Sequence, residues 1–208
     1  MKVLLLHAWP LDERMWEPQL APLVEAGFEP VAPRLYGRGA SIDGWAGQLL
    51  GEVDGPFVAV GASMGGYCAL ALARRSPERV VGIALAGSRA AADTEERRRY
   101  RNDLVASLRA DGVSPDLETD VPAEELATAQ EAIRDRPDLT GVASSFGGPL
   151  LVCVGDRDEV VPVDEARELA AGALRGSFEV FTGAGHLLSV EQPDRFQTTL
   201  AEFLTQWR

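Results

Sequence analysis

Short apolar runs alternate along the chain with longer stretches whose apolar residues recur every three or four positions. The run at 3–6 is continuously apolar, as in a strand buried on both faces of a parallel sheet. Trp16, Leu20, Leu23 and Val24 then fall at helical spacing over 16–26, and Gly27 suits a helix end. A second strand is predicted at 28–32, followed by a Gly-punctuated loop at 34–40. Ser41 is a candidate N-cap for a helix carrying Trp45, Leu49, Leu50 and Val53, and Asp54-Gly55-Pro56 closes it.

From Phe57 the sequence reads F-V-A-V-G-A-S-M-G-G-Y-C-A-L-A-L, a strand stopping at Gly61, a turn at Ser63 and a helix to about Arg75. Another buried strand follows at 80–85, so the order to this point is βαβαβαβ, which implies a parallel sheet with helices on both faces. The rhythm breaks at about 88–148, a polar stretch with helical patterns at 95–110 and 123–134. The charge cluster at 95–101 reads as a solvated face of alternating sign. Strands at 150–154 and 177–181, a helix at 163–171 and a closing amphipathic helix carrying Phe196, Leu200, Phe203, Leu204 and Trp207 complete an α/β chain. About six strands are expected, mostly parallel, in one domain over 1–208.

Composition narrows the functional classes. The 208 residues hold 32 acidic and 20 basic side chains, a formal charge of -12 that repels polyanions, so no nucleic-acid partner is expected. Cys68 and Cys153 lie inside apolar runs and read as buried small hydrophobes. The N-terminal apolar run is broken by His7, Trp9, Pro10 and Asp12, and no run approaches membrane-spanning length. The expectation is a soluble cytoplasmic protein with no membrane association, and nothing in the sequence sets its oligomeric state.

The chemistry centres on Gly61-x-Ser63-x-Gly65. Small residues around a serine between strand and helix fit a turn tight enough to expose the hydroxyl at a sheet's carboxyl end. The same pattern also occurs where a serine only caps a helix. A serine nucleophile needs a base in contact, usually histidine held by a carboxylate. The chain has two histidines, His7 and His186, each following a predicted strand, and His186 stands in a Gly-flanked loop of the kind that gathers catalytic groups. Asp156 and Asp158 both follow the strand at 150–154; either could reach the site, and either could simply form a turn.

Four motifs carry a resemblance: L-L-H-A-W-P-L-D-x-x-M-W, G-A-S-M-G-G, G-D-R-D-x-V-V-P and G-A-G-H, in that order over nearly the whole length. With them the chain resembles the α/β-hydrolase family, in its compact esterase, enol-lactonase and non-haem haloperoxidase-like branch. The resemblance implies Ser63 as nucleophile and His186 as general base. It implies Asp158 rather than Asp156 as the acid, because Asp158 precedes x-hydrophobic-Val-Pro. It also implies that the backbone N–H groups of Trp9 and Met64 form the oxyanion hole, that His7 orients the loop, and that 88–148 is a cap. Trp9, Met64, His7, Leu126, Phe146 and Leu187 are the pocket candidates, with Ile133 and Val142 as further roof candidates; no cofactor and no metal are implied.

The departures are Ala8 where glycine is common, and P-R-L-Y-G-R-G-A-S, with Arg34 and Arg38 in place of a carboxylate and a histidine. The expected function is cleavage of small carboxylic esters through an acyl-enzyme. Lactonase, carbon–carbon hydrolase and perhydrolase chemistry on the same triad are the alternatives within the fold. A ligand receptor with little turnover is the alternative of a different class. Nucleotide binding at the Gly-rich turn is excluded, because Ser63 stands where G-x-G-x-x-G needs glycine and no G-x-x-x-x-G-K-[ST] run exists.

Overall fold

A computed structural model of the chain describes residues 1–207. Six strands form one sheet: β1 (Lys2–Leu6), β2 (Glu29–Val31), β3 (Phe57–Ala62), β4 (Val80–Ala86), β5 (Leu150–Gly155) and β6 (Gly176–Phe181). Their order is β2-β1-β3-β4-β5-β6, and every neighbouring pair runs parallel. The chain leaves β1 to one side to make β2 and returns on the other to make β3. The strand order therefore reverses between β1 and β3, and the crevice at their carboxyl ends is where open α/β sheets bind ligands.

Period-two alternation sends side chains to two cores. Leu4, Leu6, Phe57, Ala59, Ile83, Leu85 and Val152 point to one face. They pack there with α2 (Ile42–Glu52), α3 (Met64–Arg75) and α7 (Val163–Gly172). Val3, Leu5, Val58, Val60, Ala84 and Cys153 point to the other, with α1 (Glu17–Glu25) and α9 (Pro193–Leu204) supplying Leu23, Phe196 and Leu200. Each large side chain buried this way contributes about 1.5–3 kcal/mol of transfer free energy.

The helices begin where the sequence places them. Ser41 caps α2 by accepting from Gly44 N, and α5 spans Ala123–Arg134. Two short helices escape the pattern, α6 (Thr140–Ser145) and α8 (Leu188–Glu191), because neither is long enough to show a helical period. A 3-10 turn, Glu13–Trp16, precedes α1, and another, Thr205–Trp207, follows α9, so Trp207 lies just beyond the closing helix rather than in it.

Between β4 and β5 run α4 (Glu95–Asp111), α5 and α6. Leu126, Ala127, Ala129, Ala132 and Ile133 of α5 and Ala143 of α6 join the core on the α3 face. Arg34, at one of the departures, ties the loop after β2 to this segment through Glu125 at 2.7 Å, while Arg38 pairs with Glu52 at 2.6 Å. No helix among the described residues is long and apolar enough to cross a membrane.

Candidate active site

Ser63 joins β3 to α3 with φ 48° and ψ -110°, and among the described residues it is the one non-glycine with positive φ. Such a conformation costs of order 1–3 kcal/mol and persists only where its surroundings enforce it. Ser63 N donates to Ala86 O at 2.9 Å, and Ser63 O accepts from Gly66 N at 3.0 Å and from Ser88 Oγ at 2.8 Å. The flanking glycines are required by close approach: a Cβ on Gly61 would lie 2.4 Å from the Gly65 backbone, and one on Gly65 would lie 2.1 Å from Leu6 O.

His186 arrives on the loop after β6. Its Nε2 is 2.9 Å from Ser63 Oγ, and its Nδ1 is 2.9 Å from Asp158 Oδ2 and 3.0 Å from Oδ1. Asp158, on the loop after β5, has a fully buried side chain, and its Oδ1 also accepts from Val160 N at 2.8 Å and Val161 N at 2.9 Å. Burial pushes this carboxyl up, but the hydrogen bond and charge of His186 and the two backbone donors outweigh it and hold it below the usual carboxylate range. An ionised Asp158 accepts the Nδ1 proton of a neutral ring, which leaves the Nε2 lone pair facing the serine hydroxyl. Asp156 does a different job: its Oδ1 accepts from Gly183 N at 2.7 Å and so joins the loops after β5 and β6. Gly87, with φ 54°, ends β4 beneath the ring, where a Cβ would stand 2.6 Å from His186 O.

The loop after β1 is pinned by His7. Leu35 N donates to His7 Nε2 at 2.9 Å, so that nitrogen is unprotonated and Nδ1 carries the hydrogen toward Ala8 O at 3.1 Å. Burial drives the pKa of this ring down to about 4, which keeps it neutral. Ala8 N donates to Met15 Sδ at 3.1 Å, and Trp9 Nε1 donates to Leu126 O at 3.2 Å. Met64 N opens α3, where no preceding turn can accept from it. Among the described residues, Trp9 N likewise has no acceptor. Two backbone donors are thus available in the loop after β1 and at the start of α3.

Ser63 and His186 open into a cavity of about 750 Å³, also lined by Trp9, Leu187, Tyr67 and Ile133. The expected lining needs correction at five positions. The side chains of His7 and Met64 are wholly buried behind it. Leu126 is packed in the core and offers the Trp9 ring only its carbonyl. Phe146 and Val142 border a separate cleft with Ala73 and Val80, because residues just before β5 lie at the amino ends of the strands, away from Ser63.

The charge cluster at 95–101 is not merely a solvated face. Glu96, Arg97, Tyr100, Arg101 and Leu104 line the cavity along one side of α4, while Val105 and Leu108 are buried on another. The signal was the spacing of 97, 101 and 104, which puts those residues on one helical face. Tyr67, one turn beyond Ser63, was legible by the same logic. Among the described residues, no group of three or more His, Cys, Asp or Glu side chains is placed to hold a metal ion.

Comparison with known proteins identifies the family and supports the fold. A sequence model of the Alpha/beta hydrolase family matches residues 3–197. An esterase from Thermogutta terrifontis superposes with a TM-score of 0.92 at 29% identity, covering 99% of this chain and 90% of that one. The AB hydrolase superfamily protein YisY of Bacillus subtilis is 26% identical over 243 residues, 97% of this chain and 90% of the relative. The enol-lactonase of Burkholderia xenovorans LB400 shares the fold, with a TM-score of 0.82 at 24% identity over 98% of this chain and 91% of that one. The match along nearly the full length makes this chain a hydrolase and a member of the alpha/beta hydrolase family.

Proposed function

We propose that the chain is a serine hydrolase that cleaves small carboxylic esters through an acyl-enzyme. The observation that carries this reading is the continuous relay Asp158–His186–Ser63, with contacts of 2.9 Å at both ends of the imidazole. His186 Nε2 takes the hydroxyl proton as Ser63 Oγ attacks the ester carbonyl, and Asp158 steadies the imidazolium that forms. The carbonyl oxygen becomes an oxyanion held by the N–H groups of Met64 and Trp9, each worth ~10²- to 10³-fold in rate. His186 then protonates the departing alcohol, and water, deprotonated by the same nitrogen, releases the acid.

Within 88–148, α4 and α5 act as the cap over the serine, and a cavity of about 750 Å³ suits a small ester or lactone. Lactones open by the same steps and belong to the same reading. Purified protein is expected to hydrolyse short p-nitrophenyl esters and to be labelled at Ser63 by a fluorophosphonate, with both properties lost in Ser63→Ala and the fold kept. If there is neither turnover nor label, the proposal fails. A small-molecule affinity unchanged in Ser63→Ala would then favour a receptor on the same fold.

A further inference from the structure

One wall of the cavity carries a positive charge that the protein does not neutralise. Asp93, with a fully buried side chain, is shared by two guanidinium groups, Arg101 through Nε and Arg136 through Nη1 at 2.9 Å. Arg136 is itself buried, stacks over the Tyr67 ring at 3.9 Å, and donates from Nη1 to Ile133 O and from Nη2 to Ala91 O, while its Nε has no partner among the described residues. Burial pushes the Asp93 carboxyl up, yet the bond from Arg101 and the charge of Arg136 hold it below its ordinary value, so it is ionised. One negative charge therefore faces two positive ones, and among the described residues no other carboxylate lies within ion-pair distance of either arginine. A charge left uncompensated in a mostly buried cluster is costly unless a ligand completes it.

The unspent donors face the cavity. Gln130, only 2% exposed, accepts from Arg101 Nη1 at 2.6 Å with its Oε1. Among the described residues its Nε2 has no acceptor, nor does Arg101 Nη2, and both side chains line the cavity that holds Ser63. Among the described residues, none of the glutamates lining this cavity pairs with Arg101. Glu191 is occupied by Gly185 N at 2.6 Å and Leu187 N at 2.9 Å, and Glu96 and Glu159 are exposed side chains.

Resting on the serine-hydrolase reading, we propose that Arg101 and Gln130 form a subsite for a carboxylate on the substrate, so that the preferred esters carry a free carboxylate away from the scissile bond. An arginine N–H beside an amide N–H presents two donors to the two oxygens of one carboxylate. A monoanion matches the single excess charge of the Asp93, Arg101 and Arg136 cluster. Asp93 acts here as a positioning residue, because it fixes the Arg101 guanidinium through Nε, with Nη1 given to Gln130 and Nη2 left for the substrate.

The test compares kcat/KM for monomethyl esters of the dicarboxylic acids from succinate to suberate with the same esters whose far end is a primary amide. The wild type is expected to favour the carboxylate by about 10- to 100-fold at one chain length, the scale of a charge-assisted hydrogen bond. Arg101→Gln is expected to bring that ratio near one. Gln130→Glu keeps the partnership with Arg101 but turns a carboxylate toward the cavity, so it is expected to abolish or invert the preference even if Arg101→Gln folds poorly. A wild-type ratio near one at every length, or a preference that survives Gln130→Glu, overturns the subsite. Calorimetry with glutarate separates this from failure of the hydrolase reading. If no ester is cleaved but glutarate binds and Gln130→Glu weakens it tenfold or more, the subsite stands alone. If glutarate does not bind and esters are cleaved without preference, only the subsite is wrong.

Discussion

On the sheet side of the cavity, Ser63 is fixed by backbone: three hydrogen bonds to its own peptide groups and glycines so close to neighbouring main chain that no side chain fits. On the helical side, Arg101 and Gln130 are arranged by side chains, through the ion pair of Arg101 with Asp93 and the hydrogen bond from α4 to α5. Backbone geometry of the first kind has one solution, since interiors are close-packed and the strain at Ser63 must be matched by fixed partners. Side-chain geometry of the second kind can be re-set by a single substitution without moving the fold. The proposed functions, catalysis on the first wall and selectivity on the second, divide along the same line as the way each wall is built.

The sharpest way to test the division is to compare two aspartates on one loop of the sheet side. Asp158→Asn is expected to lower kcat by about 10⁴-fold, because the amide no longer holds His186 in the tautomer that presents a lone pair to Ser63. Asp156→Asn changes only the bond to Gly183 N, which an amide oxygen can still accept, and is expected to cost less than tenfold. Steady-state kinetics on a p-nitrophenyl ester decides, and the reverse ranking would move the acid to position 156.

Glycines offer the next contrast. Gly65→Ala would place a methyl group 2.1 Å from Leu6 O and is expected to destabilise the protein by about 3 kcal/mol or to prevent folding. Gly141→Ala, in α6 of the helical segment between β4 and β5, meets no atom within 4 Å and is expected to be neutral or to stabilise by up to about 1 kcal/mol. Denaturant unfolding of both variants checks the pair; equal effects would remove the claimed difference in packing.

The same division explains what the sequence could convey. The six strands and the turn at Ser63 lie in runs where local spacing determines geometry; His186 stands out by its place after a strand, while the choice of Asp158 over Asp156 and the backbone donors of the His7 loop come only from the resemblance to the hydrolase family. The cavity wall does not. Leu126 and Phe146 are apolar and stand near Ala-rich helical pattern, so nothing local distinguishes a roof position from a core position. Their fate is set by which end of the sheet they reach. Arg101 and Gln130 meet across 29 positions of sequence, and a charged helix gives no sign of whether its arginines face water or a cavity. Contacts between segments are where the local signal ends.

His7 makes the sheet side sensitive to acid. Its pKa falls to about 4 in the folded protein against about 6.5 for a free histidine, so between these values the unfolded chain binds more protons and stability falls as pH falls. The full loss approaches about 3 kcal/mol by pH 4. Asp158, also held below its ordinary value, acts in the same direction at lower pH. His7→Gln can still accept from Leu35 N and does not titrate, so its stability is expected to fall less steeply over this window. Urea unfolding at stepped pH reads the slope; equal slopes in the two proteins would place the acid sensitivity elsewhere.

The smallest effect belongs to the rim of the helical side. Tyr100 lines the cavity yet is 65% exposed, so its removal leaves no buried void and no unpaired buried group. Tyr100→Ala is expected to change stability by less than about 0.5 kcal/mol. On the proposed ester-hydrolase reading its ring would meet substrate away from the reacting carbonyl, so whatever binding it contributes would be shared by ground state and transition state. The expected signature is a KM raised about two- to fivefold with kcat unchanged. A fall in kcat instead would mean that the rim takes part in orienting the reacting carbonyl, and the separation between a catalytic wall and a selective wall would have to be drawn closer to the mouth of the cavity.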